Sequence, residues 1–272
     1  MFGLSRQGYY KNEQERGKKS NQDQRVLELV KQKRYQMPRL GTRKLYWLLK
    51  EDFRKENIKL GRDKLFELLK RNKMLIVNKR KYVKTTNSKH WMKKYPNITH
   101  EIRLDRPEQL WVSDITYIKT EEGFGYLALI TDAYSRKIMG YDLSNSLSAK
   151  GSLRALKMAI KGKSYSGKLL HHSDRGLQYY SQEYTQLLKN NEITISMTEK
   201  YDPYENALAE RMNRTLKEEF LFVNKFSSMK IAELTIEQSV KIYNNLRPHL
   251  SWNMLTPNNV HLEYNNKTLT NF

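Results

Sequence analysis

The order of strand-like and helix-like segments between residues 109 and 223 constrains the fold more than any other feature of the sequence. Three apolar stretches with β-type alternation come first, separated by turns at Glu122 and Gly123 and at Ser135 and Arg136. The segments that follow alternate, with helices at 148–161, 181–190 and 205–223 and strands at 168–174 and 193–197. The order βββαβαβα predicts a mixed α/β domain built on a five-stranded sheet.

A smaller helical module precedes this domain. Apolar spacing predicts helices at residues 24–36, 43–53 and 62–72 in a helix-turn-helix-like bundle, with Thr42 as an N-cap and Trp47 in the core. Residues 74–86 have β-type alternation and are interpreted as a wing. We therefore divide the chain into four parts: a basic helical module at 1–86, a linker at 87–104, an α/β core at 105–225 and a helical extension at 226–272.

Positive charge is concentrated in the first hundred residues. The chain has a net charge of +21, and residues 1–100 hold 28 Lys and Arg against 9 Asp and Glu. Since each Lys or Arg that neutralises a phosphate releases condensed counterions, this distribution favours nucleic acid as a partner. A solvated basic surface, or RNA binding of the ribosomal type, is the alternative interpretation.

The chain contains no cysteine, which excludes disulfides, thiolate nucleophiles and cysteine-ligated zinc. The first residues lack the apolar core of a signal peptide, and no apolar run approaches the length of a membrane span. These features predict a soluble, cytoplasmic protein without a membrane partner.

Two aspartates lie at the positions in the predicted sheet where a carboxylate is most informative. Asp114 interrupts an apolar strand, where an unpaired charge is expensive to desolvate, so either a buried cationic side chain or a metal ion is expected beside it. Asp174 ends the strand KLLHHSD, where α/β sheets present ligand-binding groups, and Gly176 is expected to let the backbone turn sharply. Asp174 by itself could equally be a helix cap.

Glu210 is the third candidate. The helix around it has a buried stripe that recurs every four residues, at Leu208, Met212, Leu216 and Phe220. The neighbouring polar face carries Asn206, Glu210, Arg214 and Lys217. An ion pair with Arg214 is the alternative role for Glu210.

Two or three carboxylates around two hard cations about 3.5–4 Å apart support phosphodiester chemistry. Oxygen ligands favour Mg²⁺ or Mn²⁺, so two such ions are expected at Asp114, Asp174 and Glu210. No nucleophile from the protein is then required.

Three segments together resemble the catalytic blocks of the DDE transposases of bacterial insertion sequences, in the retroviral-integrase superfamily: WVSDITYIKT, HHSDRGLQYYS and YENALAERMNRTLKEE. The 35 residues between Asp174 and Glu210 match the interval typical of these enzymes, and Lys217 matches a basic position of the family. GTRKLYWLLK resembles the family's DNA-binding module, and YNNLRPHLSWNMLTP its closing segment. One departure is Glu205, which replaces the usual Asp and becomes a rival for the third ligand.

The resemblance implies an RNase H-like core and metal-dependent strand cleavage and strand transfer at terminal inverted repeats, with double-stranded DNA and further copies of the chain as partners. The opening FGLSRQGYY resembles second-reading-frame products, which are commonly fused to an upstream helix-turn-helix protein. Such a bacterial protein is nucleoid-associated when bound to DNA. An RNase H-like nuclease without strand transfer and an inactive DNA-binding relic are the alternatives.

Candidate DNA contacts lie in both parts of the chain. Arg175 and Gln178 follow Asp174 in a loop that must approach the scissile phosphate, and Arg214 and Lys217 share the helix of Glu210. The module contributes candidate phosphate contacts near the starts of its second and third helices, at Arg39, Arg43, Lys44, Arg62 and Lys64.

Removal of residues 1–86 is expected to lower DNA affinity and its salt dependence together, because most of the excess positive charge lies there. Fluorescence anisotropy with one DNA duplex, at salt concentrations from about 50 to 200 mM, measures both quantities. An unchanged slope of log Kd against log salt concentration would contradict the charge argument.

Overall fold

The computed structural model describes residues 6–77, 95–199, 206–220, 222 and 224–269. The chain forms two compact units, Met1–Arg80 and Lys81–Phe272. The described part of the first unit contains α1 (Arg6–Gln36), α2 (Thr42–Lys55) and α3 (Arg62–Arg71). Val26 and Val30 of α1, Leu45 and Leu49 of α2 and Leu65 of α3 are fully buried. These apolar faces form the core of a three-helix bundle, as their spacing predicts.

The module differs from the prediction in three details. Helix α1 begins at Arg6 rather than at residue 24, and its described side chains before residue 22 are exposed, so no apolar periodicity could reveal this part. Gly41 is the N-cap of α2, while Thr42 is buried in its first turn. The prediction that Trp47 lies in the core is wrong, since Trp47 is 39% exposed.

The interpretation of residues 74–86 as a wing is largely outside the described residues. Residues 74–77 form no strand, and residues 78–86 are not among those that the structure describes.

The second unit contains a five-stranded sheet of β1 (Leu110–Thr120), β2 (Gly123–Asp132), β3 (Ile138–Ser144), β4 (Leu169–Ser173) and β5 (Ile193–Met197). The strand order is β3-β2-β1-β4-β5, with β1, β2 and β3 antiparallel and with β4 parallel to both β1 and β5. The predicted mixed sheet is therefore confirmed.

In the described part of this unit, six helices accompany the sheet: α4 (Ala149–Lys161), α5 (Leu177–Tyr180), α6 (Gln182–Asn190), α7 (Ala207–Glu219), α8 (Met229–Leu246) and α9 (Pro257–Leu269). Short 3₁₀ turns lie at Thr99–Glu101 and Leu250–Trp252. Helix α5 was not predicted because a single turn carries too few residues to show a period. Helix α7 is shorter than the predicted 205–223.

Both faces of the sheet are covered. Trp111 and Ile130 pack with Leu156 of α4 and Tyr184 of α6 on one face. On the other face Leu110, Val112 and Leu170 pack with Ala209 of α7. Since side chains alternate between faces along a strand, this packing fixes which β1 residues point towards α7.

Residues 95–104, which the sequence assigns to the linker, pack against the second unit. The backbone N–H of Ile98 donates to Ser196 Oγ at 3.2 Å. Ile98, Ile102 and Leu104 contact the apolar cluster on the α7 side of the sheet. The boundaries drawn from the sequence at residues 86, 104 and 225 stay predictions.

Two polar clusters attach α8 and α9 to the rest of the second unit. Arg247, after α8, donates to the carboxylate of Glu219 in α7 at 2.6 and 2.7 Å and to His249 Nε2 at 2.8 Å. His261 of α9 is fully buried, 3.2 Å from Glu108 and 3.0 Å from Ser135. The first cluster gives the closing segment a structural role, since it joins the ends of α7 and α8.

Asp132 belongs to the second cluster. Its carboxylate accepts hydrogen bonds at 2.7 Å from the backbone N–H groups of Ser135 and Glu108 and from the Ser135 hydroxyl. Asp132 therefore fixes the turn between β2 and β3. Across the described ranges, no helix combines the length and the apolar character that crossing a bilayer requires.

Replacement of Gly140 by Ala is expected to lower the free energy of unfolding by about 3 kcal/mol, because an added methyl group would overlap the carbonyl oxygen of Ala155 where α4 crosses β3. Gly162→Ala is the matched control, since a methyl group there meets only Met158 O at 3.5 Å and Ala159 O at 3.7 Å. Urea denaturation of both variants measures the difference, and equal stabilities would contradict the close packing.

Candidate active site

Parallel pairing of β1 with β4 brings the two aspartates together. The register pairs Val112 with His172 and Ser113 with Ser173, so Asp114 and Asp174 occupy the next position on each chain. Adjacent strands lie about 4.8 Å apart. Strand β4 ends at Ser173 while β1 continues to Thr120. The two aspartates therefore lie at the C-terminal end of β4, where the pairing of β4 with β1 stops.

Asp114 is half-buried and its carboxylate has two donors. Oδ1 accepts the N–H of Ile115 at 2.9 Å, and Oδ2 accepts Asn213 Nδ2 at 2.8 Å. Burial, then Asp174 and, more weakly, Glu210 raise the pKa of Asp114 to about 7, against the opposing effect of the Asn213 hydrogen bond. Within the described residues, the side-chain donor to the Asp114 carboxylate is the neutral amide of Asn213 rather than a Lys or Arg.

Asp174 is half-buried at the start of the loop after β4. Burial and the nearby Glu210 raise its pKa, while a 3.0 Å hydrogen bond from the Gly176 N–H lowers it. Gly176 has φ of −69°, so the expected sharp turn does not require glycine. The reason for glycine is space, because a Cβ would lie 3.1 Å from Asp174 Oδ1 and 2.9 Å from Gln178 Oε1.

Helix α7 brings Glu210 to the aspartates. Asn206, Glu210 and Asn213 are spaced four and three residues apart, which places them on one side of the helix. Asn206 Nδ2 donates to the carbonyl of Ser113 at 3.1 Å, and Asn213 bonds Asp114. Glu210 thus lies between two anchors on β1. Its side chain is exposed, and partial desolvation raises its pKa while the nearby Arg214 lowers it.

The predicted faces of α7 need a correction. Met212, Leu216 and Phe220 are buried, but Leu208 is only half-buried and Ala209 takes its place. Asn206, predicted on the polar face, is 5% exposed because it packs on β1. Sequence reasoning also missed Asn213; its spacing of three residues from Glu210 was the available signal.

The candidate DNA contacts near the aspartates differ in their surroundings. Lys217 is half-buried, and its pKa is lowered by burial and raised in part by Asp114, so it lies on the Asp114 side of α7. Arg214 is exposed and Arg175 is half-buried. Gln178 Nε2 donates to Leu147 O at 2.8 Å, so its amide holds the loop before α4.

The module candidates lie in the other unit. Arg43, Arg62 and Lys64 are exposed, while Arg39 and Lys44 are half-buried. Arg62 forms an ion pair with Asp63 at 2.9 Å, so part of its charge is used locally.

A hard cation fits this donor set chemically. Besides the carboxylates, two buried amide oxygens on the β1-facing side of α7 have no hydrogen-bond partner within the described residues: Asn206 Oδ1 and Asn213 Oδ1. Within the described ranges, no three carboxylate or imidazole groups are arranged to hold one metal ion as they stand. The exposed Glu210 side chain can change rotamer without disturbing the core, so this arrangement does not prevent three-ligand coordination. Glu205 lies outside the described residues.

Comparison with known proteins assigns the family. Residues 105–203 and residues 191–257 each match an Integrase core domain family. The uncharacterized 31 kDa protein of insertion element IS600 from Shigella sonnei is 34% identical over 261 residues, covering 94% of each chain. The transposase for insertion sequence element IS629 from Shigella sonnei is 34% identical over 193 residues, 71% of this chain and 65% of that protein.

The chain belongs to the bacterial insertion-sequence transposases of the integrase superfamily. Its function is DNA transposition, and its general activity is polynucleotidyl transfer. A chain in the cryo-EM structure of the simian T-cell lymphotropic virus intasome with PP2A regulatory subunit B56 gamma is 17% identical, with a TM-score of 0.50 over 86% of this transposase and 74% of that chain. That likeness concerns the fold alone, and the predicted RNase H-like core is confirmed.

In the metal-free transposase, Asp114→Asn is expected to raise the free energy of unfolding at pH 8. The folded-state pKa of Asp114, about 7, lies above its ordinary value of 3.8, so the folded state binds more protons between these values and stability is lost as pH rises through them. The gain should reach at most about 3 kcal/mol at pH 8 and vanish near pH 4.

Urea denaturation in EDTA at several pH values tests this expectation, with the exposed Asp105→Asn as the matched control. A pH-independent effect of Asp114→Asn would show that the charge of Asp114 is not the cause.

Proposed function

We propose that this transposase cuts and rejoins DNA at the ends of an insertion sequence, using Asp114, Asp174 and Glu210 to hold divalent metal. The observation that carries the proposal is the β1–β4 register, which sets Asp114 beside Asp174 while α7, bonded to Asp114, presents Glu210. Asp174 and Glu210 raise the pKa of Asp114, and Glu210 raises that of Asp174, so a cation among these groups would stabilise their ionised forms.

Mg²⁺ or Mn²⁺, as two ions, suits these oxygen donors. When bound, such ions activate a hydroxyl nucleophile and stabilise charge on the phosphorus centre and the leaving oxygen. The protein contributes ionised carboxylates, and the Asn213 hydrogen bond favours the ionised form of Asp114. Lys217, Arg214 and Arg175 offer positive charge to the DNA backbone beside these carboxylates.

The DNA duplex is proposed to contact both units. In the module, the exposed Arg43 and Lys64 and the neighbouring basic residues would bind phosphates of the terminal inverted repeat. Gln178 would contribute to DNA binding indirectly, because its amide holds the loop at Leu147 that would contact the target DNA or the insertion-sequence ends. A homo-oligomer and fusion to, or assembly with, an upstream helix-turn-helix protein complete the proposed working enzyme.

Glu210→Gln, Asp114→Asn and Asp174→Asn are each expected to lower strand cleavage and joining by about 10²–10³-fold or more, because each removes a charge that offsets the cation at the reacting phosphate. DNA affinity should change little, since the basic module supplies most of it. The assay uses labelled insertion-sequence ends with Mg²⁺ and follows cleaved and joined products separately.

Glu218→Gln is the matched control, because it makes the same substitution on α7 at a residue that is not one of the three proposed metal ligands. Loss of activity with Glu205→Gln but not with Glu210→Gln would move the third ligand to Glu205. Cleavage without joined product would identify a nuclease, and a wild-type chain that binds DNA without cutting it would identify a relic or an enzyme that needs its upstream partner.

A further inference from the structure

Within the described residues, Asn213 makes a direct side-chain contact between α7 and a candidate catalytic carboxylate. Its Nδ2 lies 2.8 Å from Asp114 Oδ2, and the residue is 5% exposed. An ionised carboxylate can only accept hydrogen bonds, so the amide orientation with Nδ2 towards Asp114 is the favoured one. The rotamers of both side chains are therefore fixed by each other.

This orientation leaves Asn213 Oδ1 buried without a protein partner. A buried acceptor without a partner costs about 1–3 kcal/mol. Asn244 of α8, whose amide serves packing, avoids that cost: it accepts the Ile138 N–H at 2.9 Å and donates to Ile138 O at 3.0 Å. The amide of Asn213 is thus placed for Asp114 rather than for the packing of α7.

Asn206 adds a second attachment one residue away on β1. Its Nδ2 bonds the backbone carbonyl of Ser113, whereas Asn213 bonds the side chain of Asp114. Glu210 lies between these two anchors on the same side of α7. The Asn213 hydrogen bond therefore joins the Asp114 carboxylate directly to the helix that carries Glu210.

We infer that Asn213 is a positioning residue that holds the Asp114 carboxylate and sets its separation from Glu210 before a divalent cation binds. The inference rests on the proposed function for the assignment of both carboxylates as ligands. Removal of a residue that hydrogen-bonds and orients a metal ligand typically lowers metal affinity or activity by about 10–100-fold. Asn213 belongs to this class because it bonds a ligand without supplying the charge that holds the ion.

The test measures Mn²⁺ binding to the full chain by electron paramagnetic resonance, without DNA and without turnover. Asn213→Ala and the nearly isosteric Asn213→Leu both remove the donor, and the second avoids a cavity. Both are expected to raise the Kd for Mn²⁺ by about 10-fold or more. Single-turnover cleavage should fall by a similar factor while the Kd for DNA stays within about twofold, because phosphate contacts elsewhere supply that affinity.

Asn244→Ala is the matched control, since it removes a buried asparagine that attaches α8 to β3, away from Asp114. It is expected to lower the melting temperature but to leave the Kd for Mn²⁺ within about twofold, because it does not touch a metal ligand.

Wild-type binding with an unchanged Kd in a folded Asn213→Leu variant would overturn the inference and leave the proposed function intact. Equal weakening by Asn244→Ala would also overturn it, because general destabilisation would then be the cause. A folded wild-type chain that binds no Mn²⁺ would remove the proposed metal site, and the inference with it.

Discussion

The parallel pairing of β1 with β4 is the contact on which the rest of the site depends. It joins segments far apart in the sequence and aligns them so that Asp114 and Asp174 follow the paired residues Ser113 and Ser173. A shift of one residue would send Asp114 to the opposite face of the sheet, away from α7. The apolar contacts of Trp111 on one face and Val112 on the other prevent that shift, so the hydrophobic core sets the geometry of a polar site.

The same pairing carries an energetic cost. Burial and neighbouring carboxylates raise the pKa values of Asp114 and Asp174, so ionisation of these groups destabilises the fold near neutral pH. Asn213 offsets part of this cost by one hydrogen bond to Asp114. The ionised carboxylates therefore favour positive charge beside them, which Arg214 and Lys217 supply in part and a divalent cation would supply further.

Helix α7 is held at both ends by different interactions. Asn206 at its start and Asn213 at its middle bond β1, and at its end Glu219 accepts two hydrogen bonds from Arg247. The closing segment of the chain thereby supports the helix that carries Glu210 without lying beside the carboxylates. This explains why a segment with no chemistry of its own belongs to the family pattern: it limits the positions that α7 can adopt.

The sequence by itself determined the strand and helix order of the core, the mixed sheet and the family, because alternating and helical periodicities and the spacing of Asp114, Asp174 and Glu210 are local or countable properties. It could not reveal the polar first half of α1, the exposure of Trp47 or the space that Gly176 leaves for Asp174. Tertiary structure alone decided that Asn206 and Asn213 face β1, since a polar helical position becomes buried only when another element packs against it. Their role depends on contacts between residues about a hundred positions apart, and no periodicity within either segment encodes such a contact.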